Sequence, residues 1–92
     1  MTPNNDVIGI GDPYLQTKTA LETIKSVLQE AGFELEDVVR TRLAVTDISK
    51  WNDYAKAHRK FFGDIRPASS IFEVKRLVDS RLMVEIEVDA VK

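Results

Sequence analysis

The stretch FELEDVVRTRLAVTD, Phe33 to Asp47, decides the fold. It contains, near Val38 to Thr46, a run rich in β-branched residues in which apolar side chains recur at every second position. This alternation predicts a β-strand whose two faces meet different surroundings. The expected faces are Val39, Thr41, Leu43 and Val45 on one side and Val38, Arg40, Arg42 and Ala44 on the other.

Two amphipathic helices are predicted on either side of this strand along the chain. Asp12-Pro13 combines an N-cap carboxylate with proline at the first helical position, and Gly32 supplies a helix end. The second helix is expected to begin within Asp47 to Ser49 and to end at Gly63. The predicted inward faces are Leu21, Ile24, Leu28 and Ala31 with Val27 beside them, and Trp51, Ala55, His58 and Phe62.

Two more strands are predicted towards the C-terminus, Ser69 to Leu77 and Met83 to Val91, joined by a tight connection at Val78 to Arg81. An apolar run within residues 1–11, formed by Val7, Ile8 and Ile10, can add a short strand before the first helix. The order α-β-α-β-β predicts a single α+β domain over residues 1–92, with two helices packed on one face of the sheet.

The other face of the predicted sheet has no helix to cover it. Strand parity gives this open face a mixture of apolar and charged residues, namely Ile71, Met83, Val91, Arg40, Arg42, Glu73, Glu85 and Glu87. Such a face fits a subunit interface, and it equally fits a solvated face with opposed charges. The small size of the chain favours an oligomer, because association adds buried surface to a marginal core.

Composition narrows the possible functions. The net charge of -2, without a basic stripe, gives no reason to expect a nucleic-acid partner. The absence of cysteine and the presence of a single histidine, His58, leave no recognisable metal site, and no cofactor is expected. Because no apolar run approaches the roughly 20 residues that span a bilayer and no signal-peptide pattern is visible, we expect a cytoplasmic protein without a membrane partner.

Residues alone offer only weak candidates for chemistry. Arg66, Ser69 and Ser70 stand together in RPASSIFEV, at the start of a predicted strand. An arginine can bind a carboxylate in bidentate fashion, although a turn arginine is more often solvated. The two serines lack a surrounding GxSxG motif. His58 has the chemistry of a general base, but its place on an apolar helix face favours a half-buried, hydrogen-bonded residue.

Three blocks add a family resemblance: QTKTALETIKSVLQEAGFELEDVVRTRLAVTDISKW, HRKFFGDIRPASSIFEVKRL and VEIEVDAV. In order and spacing they resemble the RidA/YjgF family of enamine and imine deaminases, also called L-PSP endoribonuclease-like, from about Asp12 to Lys92. The resemblance implies a chorismate-mutase-like (YjgF-like) mixed sheet and a homotrimer assembled through the sheet face, with a ligand cleft at each subunit interface. The family's N-terminal hairpin is not recognisable here, so the fold is expected to be N-terminally shortened.

The resemblance also assigns roles to particular residues. Ser69 stands where the family has the arginine that clamps the substrate carboxylate, and Ser70 matches the small or hydroxylic residue that follows it. Glu85 matches the glutamate of the E-I-E motif, which orients or activates water. Arg66 lies three residues before Ser69, where a regular strand would point it to the opposite face, so we expect it at the rim of the cleft.

Three functions follow from this comparison. The first is a small-molecule-binding RidA-like protein for a small carboxylate or imine-like ligand, with weak or no imine deaminase activity. The second is an enamine/imine deaminase or related hydrolase, in which Glu85 positions water to yield a 2-keto acid and ammonia. The third is a structural or regulatory oligomer without a working pocket. A ribonuclease is least supported, because the sequence has neither a basic groove nor a histidine pair.

Overall fold

The structure is a computed structural model that describes residues 7–92. Within that range the elements follow the predicted order of helix, strand, helix, strand, strand. The helices are α1, Pro13–Glu30, and α2, Trp51–Phe62, and the strands are β1, Val38–Val45, β2, Ala68–Glu73, and β3, Val84–Ala90. Short 3₁₀ helices lie at Leu35–Asp37 and Ile48–Lys50.

The sheet has β1 at its centre, in the order β2-β1-β3. β2 runs parallel to β1 and β3 runs antiparallel to it, which confirms the predicted mixed sheet. The strand predicted at Ser69 to Leu77 ends earlier, at Glu73, and the predicted tight connection is only part of a longer segment, residues 74–83. The longer connection is needed because β3 pairs with β1 and not with β2, so the chain must cross to the opposite edge of the sheet.

α1 begins where capping chemistry predicts, whereas α2 begins at Trp51, after the predicted range of Asp47 to Ser49. The Asp12 carboxylate accepts a hydrogen bond of 3.0 Å from the Leu15 N–H, and proline follows at the first helical position. The Asp47 carboxylate caps the 3₁₀ turn before α2 by accepting from the Ser49 N–H at 3.0 Å. The predicted short strand before α1 is wrong over residues 7–11, where the chain forms a turn with a 2.7 Å bond from Asp12 N–H to Gly9 O. Residues 1–6, which precede that apolar run, lie outside the described residues.

The core lies between the two helices and one face of the sheet. Leu21 from α1 and Phe62 from α2 pack with Val38, while Tyr54 from α2 packs with Leu43 and with two further strand residues, Val45 and Val84. Tyr54 and Val45 are completely buried. Full burial of an apolar side chain of this size contributes about 1.5–3 kcal/mol. The prediction that both helices cover one face of the sheet is confirmed.

A β-bulge changes the predicted faces at the start of β1. The pairing with β3 steps from Val38 opposite Ala90 to Arg40 opposite Asp89, so Val39 is an extra residue without a cross-strand partner. Val38 is therefore buried, at 3% exposure, and Val39 is 49% exposed, the reverse of the sequence prediction. From Thr41 onwards the side chains alternate as predicted. The inserted residue changes the facing of the side chains before the bulge relative to those after it.

The inward face of α2 also differs from the prediction. Trp51 is 54% exposed. Tyr54 and Ala57 are completely buried, and Phe62 is buried as predicted. Tyr54 can enter the core because its hydroxyl donates to the Asp47 carbonyl at 3.2 Å, which satisfies its polar end. In α1 the predicted face holds for Leu21, Ile24 and Leu28, and the remaining members, Val27 and Ala31, are exposed.

The open face of the sheet carries two cross-strand ion pairs. Arg40 lies 3.2 Å from Asp89, and Arg42 lies 3.0 Å from Glu87. All four side chains are largely exposed, so in this single chain each pair stabilises the fold only slightly. Glu85 shares this face because it pairs with Ala44, two residues along β1 from Arg42.

Two residues predicted on the open face lie on the other side. Ile71 and Glu73 pair with Leu43 and Val45, and therefore share the face that the helices cover. The parallel register of β2 against β1, which the sequence did not reveal, causes this difference. Phe72 pairs with Ala44, so it is the apolar residue of β2 on the open face, where it is 42% exposed. Met83 and Val91 lie just outside the ends of β3.

A buried amide, Gln16, joins α1 to the end of the connection that leads into β3. Its Nε2 donates to the Arg81 carbonyl at 2.8 Å, and its Oε1 accepts from the Met83 N–H at 2.6 Å. The residue is only 5% exposed. Both ends of the amide are thus paired with partly buried backbone groups, one of them in the residue just before β3.

We expect Gln16→Leu to destabilise the fold by about 1–3 kcal/mol, because it leaves a backbone donor and acceptor without partners in a shielded position. Urea denaturation at fixed protein concentration measures the loss. Gln29→Leu is the matched control: the same substitution at an exposed site of the same helix should change stability by less than about 0.5 kcal/mol. Equal effects of the two substitutions would contradict the proposed role of Gln16.

Candidate functional site

A small cavity lies at the β2 edge of the sheet, beneath the exposed side of α2. Its volume is about 140 Å³, roughly half that of a larger cavity of about 290 Å³ at the β3 edge. We call it the β2-edge pocket. It is lined by Leu43, Trp51, Ala55, His58, Ser69, Ser70 and Ile71. Three of the four α2 residues that the sequence assigned to the core, Trp51, Ala55 and His58, therefore form one wall of this pocket.

Three polar side chains form a hydrogen-bonded chain at this pocket. The Thr41 hydroxyl donates to Ser69 Oγ at 2.8 Å and lies 2.8 Å from His58 Nε2. The Ser69 hydroxyl in turn donates to the Pro67 carbonyl at 3.1 Å. Thr41 is completely buried and is held on the helix-covered face by its position in β1. We refer to His58, Thr41 and Ser69 as the polar trio.

His58 matches the half-buried, hydrogen-bonded histidine predicted from the sequence. Its ring lies against Phe62, with ring centroids 4.9 Å apart, and burial lowers its pKa below the ordinary value of 6.5. Ser69 Oγ is 3.5 Å from Nε2, at the limit for a hydrogen bond, whereas Thr41 occupies the shorter contact. Ser69 is therefore not bonded closely to His58 in the way that a serine nucleophile is bonded to its general base.

The lowered pKa of His58 predicts a loss of stability in mild acid. The unfolded chain takes up its proton near pH 6.5 and the folded chain only at lower pH, so stability is full above about pH 6.5 and falls as the pH drops below it. We expect the Tm of the wild type to fall more between about pH 7.5 and about pH 5.5 than that of His58→Gln, which keeps a hydrogen-bonding side chain but does not titrate.

Two carboxylates do not interfere with this measurement. Hydrogen bonds from Ser49 lower the pKa of Asp47, and hydrogen bonds from Arg81 lower the pKa of Asp79 to about 2. Both carboxylates therefore lose their stabilising effect only in stronger acid, at a pH below their ordinary pKa of 3.8. Parallel Tm curves for the wild type and His58→Gln would contradict a buried, neutral His58.

Glu85, the other residue singled out by the sequence, lies away from the polar trio. Ser69 belongs to β2 and pairs with Thr41, whereas Glu85 belongs to β3 and pairs with Ala44. The two residues are thus on opposite edges and opposite faces of the sheet. Glu85 borders the larger cavity, which lies between α1, β3 and the connection before β3. One chain does not bring Ser69 and Glu85 together.

Arg66 lies in the turn between α2 and β2, outside any strand. Its φ is +54°, a left-handed conformation that is unusual for a residue other than glycine, and its N–H donates to the Phe62 carbonyl at 3.0 Å. Strand parity therefore does not set the direction of its side chain. Arg66 is exposed and is not among the residues that line the β2-edge pocket, so this chain does not show it replacing the clamp.

Thr41 is the site residue that sequence reasoning missed. The sequence pattern places it on the correct face of β1, but within a row of otherwise apolar residues. A hydroxyl among inward-facing apolar residues needs a partner when it is buried, and that requirement was the available signal. Within residues 7–92 no group of three or more potential ligands is placed to hold a metal ion. In the same range no helix has the length and apolar character to cross a membrane.

Comparison with known proteins agrees with this fold. A solved member of the YjgF/YER057c/UK114 family from Mycobacterium tuberculosis is 49% identical, with a TM-score of 0.85 over 86% of this chain and 67% of that one. The 3-aminoacrylate deaminase RutC of Acinetobacter baylyi is 37% identical over 90% of this chain and 65% of its own length. TdcF from E. coli, solved with bound serine, is 26% identical, with a TM-score of 0.81 over 88% of this chain and 65% of that one.

These likenesses define an α+β protein of the YjgF type, with a mixed sheet and two helices on one face. The model of the family described as Endoribonuclease L-PSP matches residues 1–92. The chain belongs to this family, also called RidA/YjgF, and spans about two thirds of the length of the three relatives named above.

Proposed function

We propose that this chain is a small-molecule-binding member of the RidA/YjgF family with weak or no imine deaminase activity. Its ligand-binding residues would be Ser69 and Ser70, with Arg66 at the rim. The observation that carries the proposal is Ser69 itself: at the position of the family's arginine clamp it brings no charge, and its hydroxyl is already bonded to the Pro67 carbonyl. Loss of a charged partner for a carboxylate weakens binding by about 1.5–3 kcal/mol.

Binding of a small ligand is supported by the shape and chemistry of the β2-edge pocket. Apolar walls from β1, α2 and β2 surround a few convergent polar groups, which is the usual make-up of a ligand site. The solved structure of TdcF with bound serine shows that one relative accommodates a small amino acid. A small carboxylate or imine-like molecule is therefore the ligand class that we propose.

A deaminase is the second candidate, favoured by the 37% identical relative named 3-aminoacrylate deaminase. In this version Glu85 would position the water that attacks an imine carbon, with release of a 2-keto acid and ammonia. Because Ser69 and Glu85 are separated within one chain, this chemistry requires two subunits to share a cleft. A structural or regulatory oligomer remains the third candidate, and it predicts no ligand binding at all.

We further propose that the subunits form a homotrimer through the open face of the sheet. That face combines exposed Phe72 with the paired charges of Arg40, Arg42, Glu87 and Asp89. Covering Phe72 removes apolar area from water, and the ion pairs give the face charges of both signs that a partner can match. No nucleic-acid partner is proposed, and a cytoplasmic location stays a prediction.

The activity is tested with 2-aminoacrylate generated in situ by a dehydratase, while keto-acid release is followed. We expect little acceleration by the wild type. Ser69→Arg should restore a charged clamp and increase activity about 10-fold to 150-fold, in line with the energy of a charged hydrogen bond. Strong wild-type activity that disappears in Glu85→Ala would refute the first proposal in favour of the deaminase.

The assembly is tested by sedimentation. Three chains of 10.4 kDa give roughly 31 kDa, and a wild-type mass near that of one chain would contradict the trimer. Phe72→Asp should shift the mass towards one chain, because it buries an unpaired carboxylate in the interface. Val27→Asp is the matched control: Val27 is 57% exposed on α1, away from the sheet, and its substitution should leave the mass unchanged.

A further inference from the structure

We infer that Ser69 acts as a hydrogen-bond acceptor, so that the β2-edge pocket prefers an uncharged ligand carrying an N–H group over a carboxylate. This inference rests on the proposed function, because it assumes that the pocket binds a small molecule. It narrows the proposed ligand class from a carboxylate or imine-like molecule to the uncharged, N–H-bearing part of that class. The inference comes from the hydrogen bonds of the polar trio, which engage the proton of the Ser69 hydroxyl.

Each hydroxyl of the trio has one proton to donate. The Thr41 proton goes to Ser69 Oγ, so the 2.8 Å contact between Thr41 and His58 must be made by the Nε2–H of the imidazole. The Ser69 proton goes to the Pro67 carbonyl. All the protons of the chain from His58 to Pro67 are therefore engaged, and Ser69 offers a ligand only a lone pair.

The result does not depend on the direction of the chain. If the bonds ran the other way, Ser69 would donate to Thr41 and Thr41 would donate to His58 Nε2. The Ser69 proton would again be engaged within the trio, and its oxygen would again be left as an acceptor. An arginine at this position has only donors, so the exchange of arginine for serine reverses the polarity of the contact as well as removing its charge.

The walls of the pocket also disfavour an anion. Leu43, Ala55 and Ile71 are apolar, Trp51 and Ser70 add only uncharged polar groups, and neither lysine nor arginine lines the cavity. Burial keeps His58 neutral near pH 7 by lowering its pKa. A carboxylate placed here would lose part of its water without gaining a cation, which costs more than the same loss for an uncharged ligand. The volume of about 140 Å³ is close to that of protein cavities that hold benzene, so a single ring fits.

Three ring-sized probes separate the effect of an N–H donor on binding from the effect of a negative charge. Aniline carries N–H donors on an sp² carbon, as an enamine does, and is uncharged at neutral pH. Toluene has the same shape without a donor, and benzoate is an anion with acceptors only. We would titrate each probe into the intact ¹⁵N-labelled protein and follow the amide signals of Ser69 to Ile71. We expect aniline to bind about fivefold more tightly than toluene and at least about tenfold more tightly than benzoate.

Substitutions at Ser69 test whether the preference comes from its oxygen. Ser69→Ala should remove the advantage of aniline over toluene while toluene binding stays the same. Ser69→Arg should reverse the preference in favour of benzoate, because it replaces an acceptor with a charged donor. Ser26→Ala, the same exchange at an exposed site of α1, is the matched control and should leave all three affinities unchanged.

The possible outcomes distinguish this inference from the proposed function. If the wild type binds benzoate as tightly as aniline, or aniline no more tightly than toluene, the inference is overturned while ligand binding stands. The same holds if Ser69→Ala leaves the preference for aniline intact. If neither the wild type nor Ser69→Arg responds to any probe at millimolar concentration, the proposed small-molecule function fails as well.

Discussion

The double pairing of β1 controls where the strand residues of the candidate site lie. β1 is hydrogen-bonded to β2 on one edge and to β3 on the other, so neither neighbour can move its register without breaking a ladder. The parallel ladder fixes Ser69 beside Thr41, and the antiparallel ladder fixes Glu85 beside Ala44. Because Thr41 and Ala44 differ in parity, their partners project to opposite faces. The separation of Ser69 from Glu85 is thus a property of strand register, which rotation of side chains cannot remove.

Local chemistry made much of the fold predictable. The start of α1 follows from Asp12 and Pro13, and the strands follow from the alternation of apolar residues. Other features depended on contacts between distant segments. The bulge at Val39 comes from pairing with β3, and the burial of Tyr54 depends on the Asp47 carbonyl that receives its hydroxyl proton. Neither contact leaves a periodic signal in the sequence, so the inward faces of β1 and α2 were predicted only in part.

The candidate site was predictable to a different extent. The family resemblance directed attention to Ser69 and Glu85, but it could not give the distance between them, which depends on the strand order. Thr41 became a site residue only through the register that places it next to Ser69 and beneath His58. The chemistry of the pocket therefore depends on a buried threonine as much as on the serine that the motif identifies. Ser69 is held in a hydrogen-bond network that runs from His58 through Thr41 to the Pro67 carbonyl.

The exposed edge of α2 gives the protein a useful optical property. Trp51 is the single tryptophan of the chain, and its indole is 54% exposed while forming one wall of the β2-edge pocket. Indole emission responds to the polarity of its surroundings, and here all of it originates beside the pocket. Fluorescence of the unmodified protein therefore reports on the solvation of this one wall, with no background signal from tryptophans elsewhere in the chain.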